Sequence, residues 1–262
     1  MNRLSTDERA KVLGCLVEGM SIRARVRVAG VAKNTIAKLL VDLGRACSEY
    51  QDRVLRDLSC ERLRLDEIWS YSYARQKNAP EEPQGEPGYG DIWTWVALDS
   101  ETKLVPSFLV GTRTLEVATA FVSDLASRVK GHVRLTTEGP TAYLDAVDQG
   151  SGPELDYAVL QRVYGRAPEG QKPDKRHIWT SHAERQNQTS RTGVRRFTRL
   201  TSEVGKKAEN LAAAVSLHLM YYNFARPQAC LSDPYPRTPA MAAGVASHQW
   251  TLRDIAALLD AS

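Results

Sequence analysis

The feature that most constrains the fold is the order of patterned segments after Arg62. RLRLDEIWSYSY (62–73), IWTWVALD (92–99) and LVPSFLVG (104–111) are short runs rich in apolar, aromatic and hydroxyl residues, and they read as three consecutive strands. From Thr114 to Lys130, Leu115, Ala118, Phe121, Val122, Leu125 and Val129 recur at helical spacing. HVRLTTEG (132–139) then supplies a fourth strand ending in Glu138 and Gly139. Three strands, a helix and a strand predict an α/β fold. Between the first two strands, QKNAPEEPQGEPGYGD carries three prolines, three glycines and several acids, a composition that predicts a mobile loop. Pro140 to Val147 is a shorter helical candidate, GRAPEGQKPDKR (165–176) a second polar loop, and two helices follow at Ala183–Leu200 and Lys206–Phe224.

The segment before the strands is patterned differently. Ser5 followed by Glu8 is a capping-box signature, and Leu13, Leu16, Val17 and Met20 continue it at helical spacing. Ser21 caps a second helix with Ile22, Val26 and Ala29, Gly30 supplies a turn, and Ile36, Leu39, Leu40 and Leu43 form a third apolar stripe. Three short helices with a tight turn suggest a helix-turn-helix, although a plain three-helix bundle has the same periodicity. Residues 45 to 60 are expected to form a helical connector.

Charge favours the DNA-binding alternative. A net charge of +4 says little by itself, but Arg23, Arg25, Arg27, Lys33 and Lys38 lie in a run free of acids, and Arg185 to Lys207 holds seven basic residues against the single acid Glu203. Two separate basic faces suggest a polyanion contacted at two places. In a helix-turn-helix the third helix enters the major groove, which makes Lys33, Asn34, Thr35 and Lys38 the candidates for DNA contact. Cysteines at 15, 47, 60 and 230 lack the close pairs of a zinc site or disulfide framework, and the charged start MNRLSTDERAK is unlike a signal peptide. A reducing cytoplasm and no membrane span are expected.

Three carboxylates stand out. Asp66 sits inside a strand among Leu63, Leu65, Ile68 and Trp69, where an ionised side chain is costly unless a cation or hydrogen-bond donors offset its desolvation. Glu138 ends the fourth strand, where α/β sheets gather functional groups. Glu184 begins a helix with Gln188, Arg191 and Arg195 following on one face. Carboxylates that hold two magnesium or manganese ions suit phosphoryl transfer on DNA, with Arg and Lys neutralising the flanking phosphates. Taken singly, each has an ordinary alternative. Asp66 or Glu67 can pair with Arg62 or Arg64, Glu138 can be a solvated turn residue, and Glu184 can complement a helix dipole. The histidines at 132, 177 and 218 and the aromatics Trp93, Trp95 and Tyr143 read as structural.

LSTDERAKVLGCLVEGMSIRA, LLVDLGRAC, DEIWSY, WTWVALDSETKLVPSFLVG, TAYLDAV, ERQN, RRFTRLT and TPAMAAGV with WTLRDIAALLD together resemble the short bacterial insertion-sequence transposases that join an N-terminal helix-turn-helix to a DDE catalytic domain. The resemblance implies a ribonuclease-H-like core, with Asp66, Glu138 and Glu184 as catalytic and metal-holding acids. The implied reaction is metal-assisted hydrolysis at the ends of the element, followed by attack of the freed 3′ hydroxyl on target DNA. The implied partners are element-end and target DNA and further copies of the chain, in a bacterial cytoplasm at the nucleoid. Arg23, Arg25, Arg27, Lys33, Asn34, Thr35, Lys38, Arg185, Gln188, Arg191, Arg195, Arg196 and Arg199 are the expected DNA contacts. The implied division is a DNA-binding unit and connector at 1–59, a catalytic domain at 60–225, and a tail with a short helix at 226–262.

The chain departs from that family in places. It reads TTEG where the family has TTDG, and the longer glutamate displaces its carboxylate by one methylene, a shift that can cost on the order of a hundredfold in rate. YNFARPQACL has Gln228 and Ala229 where relatives carry a histidine followed by basic residues, and His182 and Gln188 flank Glu184 in place of an aromatic and a leucine. The second expectation is therefore a catalytically inactive DNA-binding relic or regulator of the same fold.

Overall fold

A computed structural model describes residues 4–72, 90–137, 146, 155–159, 208–233 and 235–260. The chain is a mixed α/β protein. Helix α1 (Thr6–Val17) starts at Ser5, whose hydroxyl accepts from Glu8 N while the Glu8 carboxylate accepts from Ser5 N at 2.8 Å. The Ser5 backbone N–H and, at 2.9 Å, the Ser5 hydroxyl both donate to that carboxylate and hold the Glu8 carboxyl below its ordinary range. Ser21 caps α2 (Ile22–Ala29) by accepting from Ala24 N, and Gly30 ends it in the left-handed conformation at φ 71°, where a Cβ would be strained.

Helix α3 (Lys33–Val54) runs unbroken for 22 residues. The expected third helix and most of the expected 45–60 connector are thus one element, because Leu43, Cys47 and Gln51 extend the buried stripe of Ile36 and Leu39, but the helix ends at Val54 and residues 55–60 are not helical. From it the chain enters β1 (Arg62–Ser72), β2 (Gly90–Asp99) and β3 (Phe108–Gly111), then α4 (Leu115–Ala126), β4 (Val133–Thr137) and β5 (Leu155–Val159). Helix α5 (Ala208–Met220) follows and widens into a π turn at Tyr221–Ala225. Short helices α6 (Pro239–Ala242) and α7 (Leu252–Ala257) form the tail.

The sheet has five strands in the order β3-β2-β1-β4-β5. β1 is antiparallel to β2 and parallel to β4, β2 is antiparallel to β3, and β4 is parallel to β5. β5 was not expected from the sequence. The third strand is shorter than expected, and the reason is local: Pro106 has no N–H to give, and the Asn223 side chain takes the backbone groups of Val105, accepting from its N and donating to its O at 3.0 Å each.

Alternation along β1 and β2 separates two faces. Ile68, Ile92 and Leu98 pack with Leu211, Val215, Leu219 and Tyr222 of the α5 segment. On the opposite face, Leu63, Leu65, Trp95 and Ala97 share a cluster with Phe121, Val122 and Leu125 of α4, and the Trp95 and Phe121 rings lie 6.2 Å apart. That cluster continues through Leu55, Leu58 and Cys60 to Leu43 and Leu13 of the N-terminal helices. All four cysteines are free, with Cys15, Cys47 and Cys60 buried.

Asn223 is fully buried, and its amide also donates to Gln51 Oε1 at 3.4 Å. Asn223→Ala leaves the N–H and C=O of Val105 without partners inside the protein. The expected cost is about 3 kcal/mol, read as a fall of roughly 10 °C in Tm.

Candidate catalytic and nucleic-acid-binding site

Asp66 lies near the middle of β1, opposite Val96 of β2, and alternation puts it on the same face as Ile68, the face covered by α5. Its carboxylate is half-buried, and Oδ1 accepts from Glu67 N at 2.8 Å. The β1–β4 pairing ends at Leu65 opposite Thr137, so the last described residue of β4 is level with the residue immediately before Asp66. Glu138 and Glu184, together with Arg185, Gln188, Arg191, Arg195, Arg196 and Arg199, lie outside the described residues. So do the 165–176 loop, the Ala183–Leu200 helix, Tyr143 and most of the 76–91 loop.

The adjacent acid, Glu67, points the other way. Arg113 Nε approaches its Oε2 at 2.6 Å, and the same guanidinium sits 4.7 Å from the centre of the Trp93 ring. Arg62, a candidate partner for the acids of β1, pairs instead with Glu101 at 2.9 Å. Arg64 is buried on the Asp66 side of the strand. Two neighbouring carboxylates thus have different settings, Glu67 against Arg113 on the α4 side and Asp66 on the α5 side. Sequence reasoning did not find the Arg113 contact, which joins a residue after β3 to β1 across β2.

Arg23, Arg27, Lys33, Asn34, Thr35 and Lys38 are exposed and Arg25 is half-buried, while Ile36 and Leu39 between them face inward. Lys38 pairs along its own helix with Asp42 at 2.7 Å, an exposed ion pair worth little by itself. Ala32, the residue before α3, offers no side-chain cap.

Among the described residues, the Ser216 hydroxyl and both ring nitrogens of His218, buried on α5, have no hydrogen-bond partner. Burial, reinforced by Arg226, pushes the imidazole down to about 4 from its ordinary 6.5. The sign of the pH effect follows. Above pH 6.5 the ring is neutral folded or unfolded and contributes no pH dependence. Between pH 6.5 and about 4 the unfolded chain takes up a proton that the folded chain does not, so stability falls as pH falls, by roughly 1.4 kcal/mol per pH unit. His218→Gln is expected to flatten that part of a denaturant-derived stability profile, and an unchanged slope would show that another group carries it.

Among the described residues no group of three or more His, Cys, Asp or Glu side chains converges as a metal site. No helix among them is long and apolar enough to cross a membrane. Comparison of the sequence with models of known protein families and with curated proteins gives no match.

Proposed function

We propose that the chain is a DNA transposase of the carboxylate-triad type, with a ribonuclease-H-like core and an N-terminal helix-turn-helix. The observation that carries this reading is the β1–β4 register. Strand order β3-β2-β1-β4-β5, with β1 parallel to β4, brings the end of β4 beside the centre of β1, where Asp66 sits. On this reading Asp66 acts together with Glu138, the residue that follows Thr137 in the sequence, and Glu184 completes the set. The donor chemistry fits hard divalent cations, because all three side chains offer carboxylate oxygen and the half-buried Asp66 gains from a nearby positive charge. Magnesium or manganese held there supplies the clamp on attacking and leaving oxygens that phosphodiester chemistry needs. The residues of the chain orient the strand. Arg185, Arg191, Arg195, Arg196 and Arg199 with Gln188 contact phosphates, and the exposed first turn of α3 reads bases at the element end. Joining two ends brings at least two copies together on DNA.

A strand-transfer assay on element-end DNA with magnesium or manganese tests the reading. Nicked and joined products that vanish with a chelator support it. DNA binding with no metal-dependent product from this chain or from Glu138→Asp would overturn it in favour of the second reading, an inactive DNA-binding relative of the same fold. The glutamate of TTEG is the observation that favours that second reading.

The N-terminal unit makes a separate prediction. Lys33→Ala is expected to lower DNA affinity at low salt and to reduce the slope of log K against log salt by about one, whatever the sequence bound. Asn34→Ala is expected to relax preference at particular base pairs by about 1–3 kcal/mol with the salt slope unchanged. Titrations at several salt concentrations on specific and random duplexes separate the two.

A further inference from the structure

Two struts join the N-terminal helices to the rest of the chain, and they meet at the same place. The first is α3, whose exposed Lys33, Asn34 and Thr35 at the start and buried Cys47 and Gln51 near the end belong to one 22-residue helix. Near its end, Gln51 is buried and donates to the carbonyls of Cys47 and Ser216 at 3.1 and 3.2 Å, while its amide oxygen accepts from Asn223. The second strut is α1. Arg9, 6% exposed, donates to Asp260 Oδ1 at 2.9 Å and to the Ala256 carbonyl, and Thr6 donates to Asp260 Oδ2. The tail carrying those acceptors is tied back by Trp250, whose N donates to the Phe224 carbonyl at 3.0 Å. Its ring packs on Tyr50 and Phe224 with centroids 4.9 and 5.4 Å away. Asn223 and Phe224 are neighbours in the π turn at Tyr221–Ala225, so both struts end on that turn.

A tethered domain is joined by exposed polar linker with few buried contacts. This junction has buried amides, a buried guanidinium and three packed aromatic rings. We infer that Gln51, Asn223 and Arg9 are positioning residues that hold the exposed start of α3 at a fixed offset from Asp66, so that the fold sets the distance along DNA between the bases bound and the bond cut. This rests on the proposed function above, and the offset itself is read without turnover. None of the three residues touches the strand. They act through the elements they join, and the offset is the property they govern.

Cys230 is the one exposed thiol of the four cysteines, and it allows a test that needs no enzymatic activity. An iron chelate attached there to the full-length chain generates hydroxyl radicals that cut bound element-end DNA, and a footprint locates the N-terminal contact on the same duplex. The expected result is one narrow cluster of cuts at constant offset from the footprint. In Gln51→Leu the footprint and affinity are unchanged, while the cluster broadens by about twofold or more as the junction loosens. Arg9→Gln, which weakens the other strut, is expected to do the same and serves if Gln51→Leu does not fold. A diffuse pattern from the unaltered chain, or clusters equally narrow in the folded variants, would overturn the inference and leave DNA binding standing. Absence of any sequence-dependent footprint would overturn the DNA-binding reading and the inference with it.

Discussion

Asp66→Asn is expected to lower metal-dependent cleavage and joining of element-end DNA by at least about a hundredfold while leaving the fold in place. Asparagine keeps the shape of the side chain, and its amide oxygen can still accept the 2.8 Å bond from Glu67 N. What disappears is the negative charge on the α5 side of β1. A cation held by carboxylates loses one of its few anionic ligands, whereas DNA affinity through the N-terminal helices is untouched. Glu67→Gln is the matched control. Glu67 faces Arg113 on the other side of the sheet, so its loss is expected to cost stability and to leave the cleavage chemistry within a fewfold of the parent. Single-turnover cleavage at saturating protein, with binding measured separately, distinguishes these outcomes. Equal loss in both variants would mean that the face of the strand does not matter and that Asp66 has no special role.

Gly44→Ala is expected to destabilise the protein by about 3 kcal/mol or more, and Gly44→Leu to prevent folding. A Cβ at Gly44 would stand 2.5 Å from Cα, Cβ and O of Ala213, so α3 and α5 touch backbone to backbone at this point. Two effects oppose each other here. Replacing a mid-helix glycine by alanine normally favours the helix by up to about 1 kcal/mol. The overlap is with main chain, which cannot rotate away, so the helices must move apart and leave Leu43, Cys47 and Leu217 loosely packed. Overlap wins. Gly14→Ala is the informative contrast, because the added Cβ meets only the tip of Leu252 at 3.3 Å. That variant is expected to be neutral or slightly stabilising, and chemical denaturation of the pair measures the difference.

Local chemistry was legible in the sequence wherever one short motif decides the outcome. The capping box of Ser5 and Glu8, the cap at Ser21 and the left-handed turn at Gly30 all form as their residue types require. The first four strands are present, and Asp66 sits inside β1 as its apolar neighbours suggested. What escaped depends on partners distant in sequence. β5 is five residues whose pattern does not distinguish strand from buried coil, and it exists because β4 offers a parallel edge. The shortening of the third strand requires Asn223, which lies 118 residues from Val105 and in the sequence only interrupts an apolar stretch. Gln51 looked like connector, yet it is the buried amide that ties α3 to α5. A polar amide at an apolar position of a helical stripe is the signal that could have marked both residues.

The two carboxylates of β1 show how far sequence reaches into the candidate site. Their position in a strand was readable. Which of them faces α5, and that Glu67 meets Arg113, follows from alternation and from the placement of Arg113 after β3.

The central claim is that Asp66 belongs to a set of carboxylates that holds divalent cations for strand chemistry. A crystal structure of the protein soaked in manganese, read by anomalous scattering, tests it most directly. The account predicts manganese bound by the carboxylates of Asp66, Glu138 and Glu184 together, each within direct coordination distance. Manganese bound elsewhere, with these three carboxylates too far apart to share an ion, would contradict it.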